Sequence, residues 1–474
     1  MTTLLVGPFN RVEGDLEIRL EVEDGQVAAA YANSPLFRGF ERMMVGKGPL
    51  DALTITPRIC GICSISQSMA AAAALADLAG VQPAPEGAKV AALLHMIENV
   101  SDHMAHFNLF FMPDYARAGY ASADWHGQVL DRFTAGQGSA LRRAIEARAD
   151  LLHVVGMLGG KWPHTLAIQP GGVTRTPTAR DLIRIGATLQ AFRRYLEAET
   201  FGGKLEDFAA LESIEALETW SGGDAALFLR VADATGTGAM GKGSGRYMSF
   251  GAYPLPDGRV FNAGTWDNGT EAPVDFEAIQ EDISHAWMLG DAAHPTRGET
   301  IPDEMMREEA YSWCKAPRLA GRTFETGALA RQIIVGHPLA RALAAEGGVR
   351  ARVVGRLLEL ALTQIEMERL LRSIQPEERF MDQVALPADG TGVGVVEAAR
   401  GALGHWISVE DGAISNYQII APTTWNFSPR DSAGTAGPVE AALVGAPVAE
   451  GEDTPLSVQH IVRSFDPCMV CTVH

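Results

Sequence analysis

Four of the five cysteines fall into two C-x-x-C pairs: Cys60/Cys63 in RICGICSISQ and Cys468/Cys471 in DPCMVCTVH. A single such pair can be a redox dithiol, half of a zinc site or half of a rarer centre. Two pairs can supply four sulfurs to one centre, even with more than 400 residues between them. Thiolate is a soft donor that suits zinc, iron–sulfur clusters, copper(I) or nickel. A structural zinc site with four cysteine ligands is the common outcome for this pattern. Two features speak against it here. Structural zinc usually stabilises small modules, and a chain of 474 residues needs no such staple. Each pair also sits among ionisable or apolar residues, not on the turn-rich knuckles that zinc modules use.

The elements that must bring the pairs together are mostly helical. Residues 66–80 and 87–112 read as unusually apolar helices, so both are expected to be buried. Helical patterns return at 138–158, 178–200 and 350–374. Residues 16–34 alternate and carry Asp24-Gly25, the signature of a β-hairpin with a type I′ turn. The Gly-rich stretch 233–270 predicts loops and short strands. The Ala, Gly, Pro and Glu rich stretch 430–455 predicts a surface excursion before a last helix over 456–464. Length alone points to roughly three domains. No repeat or low-complexity linker divides the chain, so a single domain over residues 1–474 is expected. The fold class that follows is mainly α (α+β): a central helical bundle with peripheral β-hairpins and sheets, both cysteine pairs meeting in the core.

Composition bounds the function. A net charge of −19 argues against a nucleic-acid binder. The first residues, MTTLLVGPFNRVEGD, lack a basic region followed by a long apolar run. No apolar stretch reaches the ~18 residues of a membrane span. Five cysteines in so long a chain make no disulfide scaffold. A cytoplasmic protein with reduced thiols is the expectation.

The two pairs sit in longer blocks. R-x-C-G-x-C near the N-terminus and D-P-C-x-x-C-x-x-H at the C-terminus resemble the large subunit of nickel–iron hydrogenases. Further blocks follow in that family's order: RVEG at 11–14, RGFE at 38–41, SDHMAHF at 101–107, QPGGVT at 169–174, YSWCKAPR at 311–318, ETGALAR at 325–331, ARGALGHW at 399–406 and NYQIIAPTTWNFSPRD at 416–431. The resemblance implies that Cys60, Cys63, Cys468 and Cys471 bind nickel. Cys60 and Cys468 would be terminal ligands, and Cys63 and Cys471 would bridge nickel to an iron carrying one carbon monoxide and two cyanides. It implies heterolytic cleavage of hydrogen, which needs a Lewis acid and a base side by side. Glu13 would be the proton-transfer carboxylate. Arg400 would lie over the open side of the centre, positioned by Asp102 and Asp466, and Thr423 would hydrogen-bond a cyanide. Glu41, the carbonyl of Ile419 and the side chain of His474 would hold magnesium with three waters. The implied partners are an iron–sulfur small subunit, forming a heterodimer or a dimer of heterodimers, and maturation proteins. Most family members carry an extension that is cut after this histidine, so His474 marks a processed chain or one made without the extension.

One position departs from the family pattern. Four residues after the second cysteine, where a histidine is usual, stands Gln67. Its amide can still donate to a thiolate sulfur but cannot become charged. Such donors tune sulfur basicity and hence redox potential. The departure resembles the regulatory, hydrogen-sensing branch. So do Ile62 and Phe110, where members with a wider gas passage carry Val and Leu. Bulkier groups would narrow the route and slow oxygen more than hydrogen. The resemblance then implies an oxygen-tolerant, low-turnover sensor that signals to a histidine kinase. A cytoplasmic uptake hydrogenase is the alternative, and a non-catalytic structural or zinc scaffold is the alternative of another class.

Other signals read as structure. Cys314 is expected to be a single buried cysteine. His103 and His106, three apart on a helix, are expected to pack and hydrogen-bond. GTGAMGKG at 236–243 mimics a phosphate loop, but Gly243 stands where Ser or Thr should be, which leaves a loop.

Overall fold

A computed structural model describes residues 2–474. The long helices fall where the periodicity places them: Ser64–Leu78, Pro85–Ala105, Ser139–Gly159, Ala179–Tyr195 and Gly348–Ser373. The helix Pro85–Ala105 packs against both Ser139–Gly159 and Gly348–Ser373 and is buried almost all round. An apolar helix without a polar face has no stable place except inside a bundle.

The helix expected to run to residue 112 instead ends at Ala105 and continues as a π-turn over His106–Phe111. Pro113 follows within a 3-10 turn, Met112–Ala116. A proline ring cannot continue the α-ladder, and the wider π-turn re-aims the side chains before it. The 178–200 pattern ends the same way, with a π-turn over Leu196–Phe201.

The hairpin is present as Glu17–Glu23 and Gln26–Asn33, and Thr2–Val6 extends it to three antiparallel strands. Asp24 and Gly25 both take positive φ, as a type I′ turn requires. Short strands occupy 246–272, as composition predicts.

Two findings differ from the sequence expectation. The stretch 430–455 is not wholly a surface excursion. Its helix Pro438–Leu443 is buried against the strand Gln26–Asn33, and Glu440 accepts from the Ala32 amide at 2.9 Å. Glycine and proline at its flanks hid a short core element. The sheet Gly390–Ala398, Gly401–Glu410 and Ala413–Ile420 lies inside the molecule, not at its periphery. Its first strand, GTGVGVVEA, lies on the helix Ser64–Leu78. Gly392 and Gly394 share one face of that strand. A Cβ on them would stand 2.2 Å from the Ala74 carbonyl and 2.0 Å from the Ala70 carbonyl. Glycine on the strand and alanine one turn apart on the helix let the two backbones touch. That contact sets the helix carrying the first cysteine pair against the sheet.

Candidate metal centre

Each cysteine pair sits where a loop enters a helix. Cys63 precedes Ser64–Leu78 as its N-cap, and Cys468 precedes Met469–Thr472 in the same way. The four Sγ atoms lie within 4.8 Å of one another and all four residues are buried. Cys60 faces Cys468 at 3.5 Å, Cys63 faces Cys471 at 3.2 Å, and Cys468 and Cys471 are 3.1 Å apart. No pair is a disulfide. Among the described residues this is the one cluster of three or more His, Cys, Asp or Glu groups close enough to hold a metal ion.

The electrostatics ask for a cation. Hydrogen bonds from Cys468, Cys471 and Cys63 hold the Cys60 thiol well below its ordinary value. The contacts with Cys468 and its neighbours push Cys63 well above it, and those with Cys468 and Cys60 push Cys471 up likewise. One sulfur can take a charge; four cannot at this spacing without positive charge between them.

Other segments frame the cluster. The Arg38 guanidinium donates to the Ile59 carbonyl at 2.5 Å and the Val470 carbonyl at 3.0 Å, tying the two cysteine loops together. Glu13 pairs its backbone with the C-terminal loop: the Met469 amide donates to its carbonyl at 2.7 Å. Burial raises the Glu13 carboxyl, helped by the Cys60 sulfur and opposed by Arg400 and Arg38. Arg400 donates through Nε to the Asp466 carbonyl at 2.9 Å and through Nη2 to Asp466 Oδ1 at 3.1 Å. Its Nη1 lies 2.9 Å from Asp102 Oδ2, without hydrogen-bond alignment. Burial pushes Asp102 up to about 7 against the pull of Arg400, whereas Arg400 overcomes burial at Asp466 and lowers it. The Thr423 hydroxyl oxygen accepts from the Cys468 amide at 3.0 Å, which leaves its proton for another acceptor.

Gln67 was expected to donate to a sulfur. Its carbonyl oxygen lies 2.8 Å from His405 Nε2, and its NH2 nitrogen is buried without a partner among the described residues. Ile62 and Phe110 line one cavity of about 200 Å3 with Met104, Leu109, Ile145 and Arg148. Glu41 and His474 meet, Oε1 to Nε2, at 3.3 Å. The Ile419 group that reaches Glu41 is its amide, at 2.7 Å. Lys315 also enters this site, 3.3 Å from Glu41, 3.4 Å from Glu281 and 2.6 Å from Gln418 Oε1. Lys315 and His474 overcome burial and bring the Glu41 carboxyl to about 2. The expected packing roles hold: Cys314 is fully buried, His103 meets Glu359 at 2.9 Å, and His106 meets the Arg463 carbonyl at 2.7 Å.

Three supporting residues escaped the sequence reading. Glu98 caps the cysteine helix from another helix. It accepts from the Ile65 amide and the Ser66 amide, each at 2.8 Å, and from Trp162 Nε1 at 3.1 Å. Arg331 is fully buried between Glu359 and Glu397 and donates to the Ala398 and Ala399 carbonyls, both at 2.9 Å. It thereby holds the turn from which Arg400 projects. Arg356 ties down the Ser464 and Phe465 carbonyls just before Asp466. The blocks ETGALAR and RGFE flagged Arg331 and Arg38 without a role; nothing local flagged Glu98 or Arg356.

Four convergent sulfurs, an arginine with an unaligned N–H, a spare threonine proton and an orphan amide NH2 fit a metal centre that carries hydrogen-bond acceptors. A nickel-dependent hydrogenase family model matches residues 38–121 and 141–474. The periplasmic [NiFeSe] hydrogenase large subunit of Desulfomicrobium baculatum is 29% identical, with 99% of this chain and 94% of that protein covered. The hydrogenase-2 large chain of Escherichia coli (strain K12) is 28% identical, covering 99% and 97%. The solved structure of H2-activated Dm. baculatum [NiFeSe]-hydrogenase superposes with a TM-score of 0.86 at 28% identity over 100% of both chains. The selenium in those names has no counterpart in the present sequence, whose four clustered residues are all cysteine. With its sulfur cluster intact and its whole length matched, the chain belongs to the nickel-dependent hydrogenase family and has the fold of the family's large subunits.

Proposed function

We propose that this hydrogenase large subunit works as a cytoplasmic, oxygen-tolerant hydrogen sensor rather than as a high-flux enzyme. The observation that carries the reading is the cavity beside the first cysteine loop, where Ile62 and Phe110 stand on the same walls. Two bulky groups in one largely apolar cavity narrow it together. Gln67 in place of a titratable imidazole supports the same reading, because its donor strength does not change with pH.

When bound, the nickel–iron pair supplies the Lewis acid for splitting H2. Cys60, Cys63, Cys468 and Cys471 would hold it. Glu13, raised by burial, receives a proton at its carboxylate and passes it outward. Arg400, fixed by Asp102 and Asp466, would offer charge-assisted donors to carbon monoxide and cyanide groups on iron, and Thr423 would offer a hydroxyl. Glu41 and His474 would be the side-chain donors of a magnesium site, with the Ile419 carbonyl and water as further donors. Electrons leave through an iron–sulfur small subunit, since Cys314 is the one cysteine left in the chain. A histidine kinase reads the state of the sensor. Glu13→Gln should keep the metals and lose most hydrogen/deuterium exchange; normal exchange would remove Glu13 from the mechanism.

An uptake hydrogenase is the second reading, favoured by relatives such as the quinone-reactive Ni/Fe-hydrogenase large chain of Wolinella succinogenes. Infrared spectroscopy of the heterodimer under argon and then hydrogen separates the two. The sensor reading expects one carbon monoxide and two cyanide bands that shift promptly under hydrogen after air exposure. Bands that respond only after prolonged reduction favour the uptake enzyme.

A further inference from the structure

Behind Gln67 lies a buried relay that the mechanism above does not use. His405 stands opposite Gly394 in the inner sheet, and Tyr417, opposite Ile407, is its diagonal neighbour on the same face. Gly394 has no side chain, so the helix Ser64–Leu78 comes close enough for His405 to reach Gln67. The distances are 2.8 Å from Tyr417 Oη to His405 Nδ1 and 2.8 Å from His405 Nε2 to Gln67 Oε1. All three residues are at most 1% exposed.

The proton order in this chain is determined by its outer end. Among the described residues, His405 Nδ1 is the sole hydrogen-bond partner of the Tyr417 hydroxyl. A buried hydroxyl proton needs an acceptor, so Tyr417 donates. Nδ1 therefore accepts, and the imidazole, held neutral by burial, carries its proton on Nε2. Nε2–H then requires an oxygen opposite it. Gln67 must turn its carbonyl to His405 and its NH2 away. The NH2 has no partner among the described residues. Gln67 lies one turn after Cys63, its amide bonded to the Cys63 carbonyl at 3.1 Å. A helical side chain leans back over the preceding turn, so the free NH2 is directed toward the Cys63 end of the helix. The reversed order would leave an amide oxygen facing electron-rich sulfur.

We propose that Tyr417 and His405 are positioning residues that lock the Gln67 amide, so that its NH2 is the end presented to the thiolate centre. The proposal rests on the hydrogenase reading for the identity of that centre, but the proton order stands on the protein alone. A glutamine amide has two nearly isosteric orientations. The relay selects the one that donates, which a histidine at this position would not need in the same form.

Neutron crystallography of the deuterium-exchanged heterodimer tests the order directly. The expected result is deuterium on His405 Nε2, the Tyr417 O–D aimed at Nδ1, and the deuterated amide nitrogen of Gln67 turned from His405. Deuterium on Nδ1 with the amide reversed overturns the proposal. Infrared spectra of Tyr417→Phe, Gln67→Leu and the double variant test the consequence. Tyr417→Phe should shift or split the carbonyl and cyanide bands, and Gln67→Leu should abolish that response. Equal shifts from Tyr417→Phe in both backgrounds would mean packing alone and overturn the positioning role. Absence of these bands from the wild-type protein would count against the hydrogenase reading, leaving the neutron map to decide the relay.

Discussion

Replacing Glu98 by glutamine changes one oxygen to NH2 and should loosen the first cysteine loop. In the wild-type protein one carboxylate oxygen takes the Ile65 amide and Trp162 Nε1, and the other takes the Ser66 amide and hydroxyl. Glutamine has one oxygen, so one backbone N–H at the helix start must face an NH2. A buried donor left unsatisfied costs about 1–3 kcal/mol. Burial raises the Glu98 carboxyl to about 7, and above that pH loss of its negative charge at the helix N-terminus adds about 0.3–1 kcal/mol. The sum is roughly 1–4 kcal/mol, concentrated on the turn that Cys63 caps. At about 1.4 kcal/mol per decade this multiplies local opening by roughly 10- to 1000-fold. Hydrogen exchange read by mass spectrometry on peptides spanning residues 58–70 measures it, and nickel content should fall in parallel. Glu98→Ala should exceed the glutamine variant. Protection within threefold of wild type in Glu98→Gln would refute the capping argument.

Glu440 is held near pKa 7 by burial, against 4.5 in an exposed chain. The folded state therefore binds its proton more tightly. Stability should be highest below pH 4.5 from this group and decline as pH rises toward 7, by roughly 3 kcal/mol. Glu440→Gln keeps the bonds to Ala32 and Tyr311 and should flatten that slope, as thermal melts from pH 5 to 8 would show. Ile62→Val with Phe110→Leu should enlarge the cavity and speed inactivation by oxygen, followed as loss of hydrogen-dependent exchange in air; unchanged lifetimes would end the gate argument. Gly394→Ala places a carbon 2.0 Å from the Ala70 carbonyl and should destabilise by about 1–3 kcal/mol or more, seen as a lowered melting temperature and lost nickel.

The parts of this structure that were legible in the sequence are those where chemistry demands a residue type. Cys60, Cys63, Cys468 and Cys471 converge as two C-x-x-C pairs can, and Arg400 meets both Asp102 and Asp466 as the family resemblance implies. The long helices announce themselves because a buried helix must be apolar. The inner sheet did not. GTGVGVV breaks the alternating pattern with glycines whose reason is tertiary, the backbone of a helix more than 300 residues away in sequence. Glu98 was invisible for a related reason: it caps a helix 33 residues upstream, so no local capping signature exists. The 430–455 stretch misled because a six-residue buried helix is too short to show a period. Gln67 was legible as a departure, but its oxygen contact with His405 was not, since that partner lies 338 residues away.

The central claim is that four cysteines from opposite ends of the chain hold nickel. X-ray absorption at the nickel edge of the matured heterodimer tests it most directly. The expected result is a nickel shell built of sulfur, four scatterers in the wild type and three in Cys60→Ser. Nickel bound through nitrogen and oxygen alone, or zinc in its place in a fully matured sample, would contradict it.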